Sequence, residues 1–172
     1  MKICHYNSNQ AGAVVRDHVY PIGDALVNAG HLKRGYTMLE VIGVLANQPD
    51  ATQCARDSLN TVSPVPLHSV DLLAPILNPP SLWAAAANYK AHQQEMRGKM
   101  GSADRSALSK DDLMAEFFLK PPSSIIGPGG TVLLPKISQD VDFECELCAV
   151  IGKRARYATE GNALELHVRA ER

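Results

Sequence analysis

Apolar positions arrive in short runs separated by polar turns along the first third of the chain. Lys2 to Tyr6 and Ala13 to Ile22 contain β-type runs, broken at Asn7 to Asn9 and Arg16 to His18. Thr37-Met38-Leu39-Glu40 then sets a Thr at a helix cap and a Glu three residues on, the capping-box pattern. Met38, Leu39, Val41, Ile42, Val44 and Leu45 follow, which predicts a buried helix ending near Asn47. Pro49 and Asp50 open a second short helix through Leu59.

Ser63 to Pro80 breaks this pattern. Pro64, Pro66, Pro75, Pro79 and Pro80 block regular helix and central-strand bonding, so the segment reads as a linker or an extended crossing. A domain boundary placed inside it leaves a small N-terminal α+β domain at 1–70 and a second domain at 71–172. In that second part, Ser81 to Ala87 predicts a short buried strand, and Asn88 to Met100 a helix running into flexible Gly98 to Ser102. Ser109 to Phe117 predicts another helix, with Ser109 as cap and Asp112 at the third position. Gly127-Pro128-Gly129-Gly130 is a turn. Thr131 to Leu134 predicts a strand, and Asp140 to Ile151 the strongest strand of the chain.

Composition narrows the function classes. The chain has 172 residues, 45% hydrophobic and 20% charged, with a formal net charge of −1. A packed core is within reach, and no basic excess points to nucleic acid. MKICHYNSNQ has no apolar run behind Lys2, so a secretory signal is not expected. The most apolar stretch, Asp71 to Ala87, is interrupted by Pro75, Asn78, Pro79 and Pro80, which argues against a membrane span. A soluble cytoplasmic protein is the default reading.

Without an export signal, Cys4, Cys54, Cys145 and Cys148 read as reduced thiols. Cys145 and Cys148 spell C-x-x-C, but no second Cys pair or nearby His-x-His group completes four zinc ligands. In a strand, positions three apart also face opposite ways. His5, His18 and His31 are scattered and read as structural or solvent-exposed.

Two clusters suggest chemistry. On a strand, Asp140, Asp142, Glu144 and Glu146 would share one face, opposite Val141, Phe143, Cys145 and Leu147. Carboxylates two residues apart sit roughly 7 Å apart there. No Lys or Arg lies in the run. If the strand is buried, the charges need a counter-charge, and a hard divalent cation such as Mg²⁺ or Ca²⁺ suits oxygen ligands. A wet sheet face is the other reading. His92 and Glu95 are three apart and would share a helix face. A carboxylate beside an imidazole suits activation of a water, and a surface ion pair is the alternative.

These segments fall in a recognisable order. Asn88-Tyr89-Lys90-Ala91-His92-Gln93-Gln94-Glu95 is followed by Phe118-Leu119-Lys120-Pro121-Pro122-Ser123-Ser124 and Gly127-Pro128-Gly129. Leu134-Pro135 comes next, then Val141-Asp142-Phe143-Glu144-Cys145-Glu146-Leu147 running into Val150-Ile151-Gly152-Lys153. Together they resemble the fumarylacetoacetate hydrolase family, best from about Leu72 to Leu164. Residues 1–70 fit the small N-terminal domain of many members.

The resemblance implies a mixed β-roll catalytic domain, incomplete in these residues. It also implies Mg²⁺, with Mn²⁺ or Ca²⁺ as alternatives, chelating the oxo and carboxylate oxygens of a small-molecule 2-oxo acid or β-diketo acid. The metal stabilises the enolate that forms as a C–C bond is cleaved, a carboxylate is lost or a double bond is moved. Glu144 and Glu146 match the family's E-x-E metal ligands. His92 matches its water-activating histidine, and Glu95 that histidine's acidic partner. Lys120 matches the lysine of an F-L-K-P segment near the substrate pocket, although a lysine before Pro-Pro can also serve only to pack and solvate. Asp142 matches a structural position. Members are usually homodimers.

The chain departs from the family pattern in two places. A third metal ligand is expected from an Asp in an N-D-x-x-x-R-D type segment, together with a second lysine, and no Asp follows Asp142 in these residues. The reading is therefore of a C-terminally truncated chain, inactive by itself. Two carboxylates alone hold Mg²⁺ weakly. A non-catalytic remnant or binding module is the competing reading. The stretch Met96 to Glu116 is longer than in compact members and suits a mobile lid, which leaves the substrate open. Acylpyruvate hydrolysis, homoprotocatechuate-pathway isomerisation or decarboxylation, and oxaloacetate decarboxylation share the motifs.

Overall fold

A computed structural model describes residues 1–86, 88–89, 117–141, 143, 145–163 and 167–169. The architecture is α+β, and among the described residues the α-helices lie in the front part of the chain, with short sheets before and after them. Two compact units form, one from Met1–Leu77 with Ile126–Arg172 and one from Asn78–Ile125.

The first unit starts with an antiparallel meander of β1 (Lys2–Tyr6), β2 (Gln10–Val15) and β3 (His18–Pro21). Register follows from the tight turns, pairing Cys4 with Gly12 and Val14 with Val19. Asn7, Asn9 and Arg16 take the positive φ values that close those turns. Gly12 is required by space. A Cβ there would lie 2.4 Å from Val19 Cγ1 and 3.0 Å from Tyr6 Cε1. A fourth short strand, β4 (Val65–Pro66), adds to the β3 edge with Val65 opposite Val19. An edge is where a sheet tolerates proline. Beyond it, residues 71–74 run beside β1. Asn7 N donates to Asp71 O at 2.7 Å and Leu73 N to His5 O at 2.9 Å. The proline-rich segment is thus partly stitched to the sheet.

Three helices cover one face. α1 (Gly23–Asn28) has no side-chain cap, and its chain turns away at Gly30, φ 79°. Tertiary burial holds it, because Leu26 is fully enclosed. α2 (Met38–Asn47) carries the complete capping box of Thr37 and Glu40. α3 (Pro49–Ser58) follows after Gln48 with proline in its first turn. Ile22, Leu26, Met38, Val41, Ala51 and Ala55 form the core between these helices and the sheet. Each large side chain buried there contributes about 1.5–3 kcal/mol.

The rear of this unit is sparse. Thr131 to Leu134 forms no strand, and Val132, Leu133 and Leu134 are 70%, 87% and 67% exposed. Of the described part of Asp140 to Ile151, only β7 (Ala149–Ile151) is a strand, antiparallel to β8 (His167–Arg169). The physical reason is common to both departures. β propensity is expressed through a partner strand, and none among the described residues pairs with 131–134 or with the described part of 140–148. In the second unit, β5 (Leu82–Ala85) pairs antiparallel with β6 (Phe117–Lys120). The expected strand in Ser81 to Ala87 is present, but it is not buried, since Trp83 is 60% exposed. The helices expected over Asn88 to Met100 and Ser109 to Phe117 lie largely outside the described residues. The described ends, Asn88, Tyr89 and Phe117, are not helical. No helix among the described residues is long and apolar enough to cross a membrane.

Candidate functional site

Lys120 closes β6. Its register partner is Leu82, while Leu119 faces Trp83 and Phe118 faces Ala84. Pro121 cannot donate to a ladder, so the strand ends there and a 3-10 turn forms over Pro122–Ser124. Ser124 Oγ fastens the turn by donating to Pro121 O at 2.8 Å. The lysine is exposed, and its Nζ lies 5.6 Å from the Phe118 ring centroid, a cation–π distance. It is placed as a solvated cation at the mouth of a two-stranded sheet. Trp83, Phe117 and Leu119 share the opposite face of that sheet and are all strongly exposed.

In the first unit, Gly127 to Gly130 closes a turn through Gly130 N and Gly127 O at 3.0 Å, with Gly129 at φ 77°. Gly127 presses on the chain beside β1. A Cβ on it would meet Ala74 N at 3.3 Å, which accounts for glycine at this position. Glu146 follows in the irregular stretch Cys145 to Cys148 and is exposed, as are both cysteines. His92, Glu95, Glu144 and Asp142 lie outside the described residues, as does the whole stretch Met96 to Glu116 expected to form a lid. Of the candidate site residues, the structure therefore places Lys120 in one unit and Glu146 in the other.

The donor set can be tested against a hard divalent cation. Glu146 brings an exposed carboxylate, and Glu144 is two residues earlier in sequence. Both are oxygen donors of the type Mg²⁺ and Mn²⁺ take. Among the described residues, no group of three or more His, Cys, Asp or Glu side chains could hold a metal ion. The E-x-E pair fits in kind, and a cation held there would need further oxygen ligands.

Other reactive groups have structural explanations. His5 is buried, with Nδ1 3.0 Å from Ala74 O and Nε2 3.0 Å from Asn9 Oδ1. Burial pushes the Cys4 thiol up to about 11, with a backbone bond from Gly12 opposing it. Cys4 is therefore a poor nucleophile at neutral pH. Burial, helped by the neighbouring Cys4, Tyr36 and Asp24, pushes Tyr6 up to about 12. One contact carries no sequence signal. The Asn47 side chain reaches Gly152, 105 residues away.

Comparison with known proteins adds to this geometry. The Fumarylacetoacetate (FAA) hydrolase C-terminal family matches residues 81–168. Maleylpyruvate hydrolase of Aquipseudomonas alcaligenes is 33% identical over 167 residues, 96% of this chain and 57% of that protein. The mitochondrial oxaloacetate tautomerase FAHD2A of Bos taurus is 34% identical over 130 residues, 74% of this chain and 37% of that protein. Among solved structures, maleylpyruvate hydrolase from Sphingobium sp. SYK-6, in complex with manganese(II) and pyruvate, superposes with a TM-score of 0.72. It is 23% identical, over 97% of this chain and 55% of that one. Fumarylacetoacetate hydrolase from Exiguobacterium antarcticum superposes with a TM-score of 0.67 at 26% identity, over 97% of this chain and 52% of that one. The chain thus spans little more than half the length of these two maleylpyruvate hydrolases. The family match over half of the chain, with the motifs in order from Asn88 to Lys153, shows that the chain belongs to the fumarylacetoacetate hydrolase family.

Proposed function

We propose that this chain carries part of the active site of a divalent-metal-dependent enzyme. It would cleave, decarboxylate or isomerise a 2-oxo acid or β-diketo acid within a mixed β-roll. The observation that carries the reading is the E-x-E pair Glu144 and Glu146 inside the matched segment. An acylpyruvate is the favoured substrate class, because the relative aligned over 96% of this chain is a maleylpyruvate hydrolase. The oxaloacetate tautomerase of Bos taurus points to the same small oxo acids.

Glu144 and Glu146 would hold the cation, Mg²⁺ or Mn²⁺. When bound, it supplies Lewis-acid stabilisation of negative charge developing on the substrate's oxo oxygen. His92, oriented by Glu95, would take a proton from the attacking water. Lys120 would pair with a substrate carboxylate, a role that suits its exposed ammonium. A homodimer is the assembly this reading favours.

A second reading rests on a specific observation. Leu133, Ile137 and Phe143 are 87%, 97% and 87% exposed, and the described residues hold no three-ligand cluster. The 172 residues acting alone would then be a non-catalytic remnant or binding module. Pyruvate release from maleylpyruvate by the purified 172-residue polypeptide, with and without Mn²⁺, separates the two. Robust metal-dependent release supports the enzyme and rejects the remnant. Weak Mn²⁺ uptake through Glu144 and Glu146 without turnover supports an incomplete site. Mn²⁺ uptake indifferent to both glutamates removes the metal assignment.

A further inference from the structure

We propose that His5 is a proton-operated latch, which holds two ring hydrogens in the folded protein and fastens both the Asn7 to Asn9 turn and residues 71–74 to β1. The ring is buried. Its Nδ1 lies 3.0 Å from Ala74 O, and its Nε2 lies 3.0 Å from Asn9 Oδ1. A backbone carbonyl can only accept. The Asn9 amide is fixed with its oxygen toward the ring, because its Nδ2 donates to Tyr36 O at 2.7 Å. Reversing that amide would bring Oδ1 against Tyr36 O. Both ring nitrogens therefore face oxygens that only accept. A neutral imidazole has one N–H and would turn a bare lone pair toward one of those oxygens. The imidazolium donates to both.

The surroundings fit this role. Burial disfavours a charged ring, and hydrogen bonds donated by the charged form offset that cost. Among the described residues no carboxylate bonds to the ring. Cys4 and Tyr6 flank it on β1, and burial keeps both neutral at physiological pH. β2, opposite, and the turn at Asn7 to Asn9 have no titratable side chain. Asp24 of α1, Glu40 of α2 and Asp71 are exposed, as are Lys33 and Arg34 ahead of α2, where His31 bonds to Gln48. The proton is thus held by two acceptors and not by an ion pair. Asn9 takes φ 103°, a strained conformation that its bonds to His5 and Tyr36 hold in place. On losing a proton the ring would keep the buried bond to Ala74 O and release the half-buried one to Asn9. All of these groups belong to the first compact unit, and the latch is independent of any metal site.

Folding takes up a proton in this account. Its contribution is complete at low pH and is lost as pH rises through the range in which the folded ring gives that proton up. The test compares urea denaturation of the wild type and His5→Gln from about pH 5 to about pH 8, where histidine changes charge. His18, His31 and His68 are common to both proteins and cancel. The ratio of the wild-type folding constant to that of His5→Gln is expected to fall about three- to tenfold over the range, as one hydrogen bond is lost. Proton–nitrogen correlation NMR of the His5 ring gives a second readout that does not need His5→Gln to fold. The Nε2 hydrogen should be released at lower pH in Asn9→Gly than in the wild type, because the acceptor that holds it is gone. Glycine also suits φ 103°, so this variant keeps the turn. A ratio that stays constant or rises with pH, or a release that is the same in Asn9→Gly and the wild type, overturns the proposal.

Discussion

Thr37 and Glu40 cap α2 reciprocally. Thr37 N donates to Glu40 Oε2 at 2.7 Å, and Glu40 N donates to Thr37 Oγ1 at 3.3 Å. Removing the hydroxyl with Thr37→Ala should cost about 0.5–2 kcal/mol, read by urea denaturation. The bonds from Thr37's backbone and side chain hold the Glu40 carboxyl below its ordinary value of 4.5. A depressed carboxylate stabilises fully above its unfolded value and loses that contribution as pH falls through the folded one. The stability gap between the wild type and Glu40→Ala should therefore be widest near neutrality. It should shrink on acidification below 4.5.

Gly23 and Gly43 should respond to alanine with opposite signs. A Cβ at Gly23 would sit 1.8 Å from Tyr36 Oη, which accepts from Ala11 N at 3.3 Å. Gly23→Ala should expel that ring and cost about 1–3 kcal/mol. Gly43 is inside α2, and a methyl group added to it would meet nothing within 4 Å. Gly43→Ala should stabilise by about 0.5–1 kcal/mol. Thermal melts of the two variants check both directions.

His5 bridges the sheet to residues 71–74. His5→Leu would leave Ala74 O without its side-chain donor, and Ala74 is 2% exposed. The expected loss is about 1–3 kcal/mol by chemical denaturation. An unchanged midpoint would mean that the backbone bond from Leu73 N to His5 O suffices by itself.

The four thiols should separate by reactivity. Cys145 and Cys148 are exposed, whereas burial pushes Cys4 up to about 11. An aromatic disulfide reagent at pH 7 should modify Cys145 and Cys148 first and Cys4 last, as mass spectrometry of tryptic peptides would show. Early modification of Cys4 would contradict its burial.

Local signals are legible in the sequence, and non-local ones are not. The Thr37–Glu40 box can be read because its parts lie within one helical turn. The turns at Asn7 to Asn9 and Arg16 can be read for the same reason. α1 leaves no such trace, because it is six residues long and uncapped, held by Leu26 in a core that only the fold creates. β4 is hidden by Pro64 and Pro66, since nothing in a proline-rich string reveals a neighbouring sheet edge. The alternation from Asp140 to Leu147 predicts a strand. Where that stretch is described before β7 it is irregular, and Phe143 and Leu147 are 87% and 65% exposed. At the candidate site, E-x-E and the F-L-K-P lysine are legible as motifs, and the structure places Lys120 and Glu146. The contact of Asn47 with Gly152 has no local trace.

The most direct test of the account is a Mn²⁺ titration followed by electron paramagnetic resonance, comparing the wild type with a Glu144→Gln/Glu146→Gln double variant. The account predicts saturable uptake of Mn²⁺ by the wild type, abolished in the double variant and perturbed when pyruvate is added. Uptake equal in both proteins, or absent from both, would contradict a metal site at the E-x-E segment.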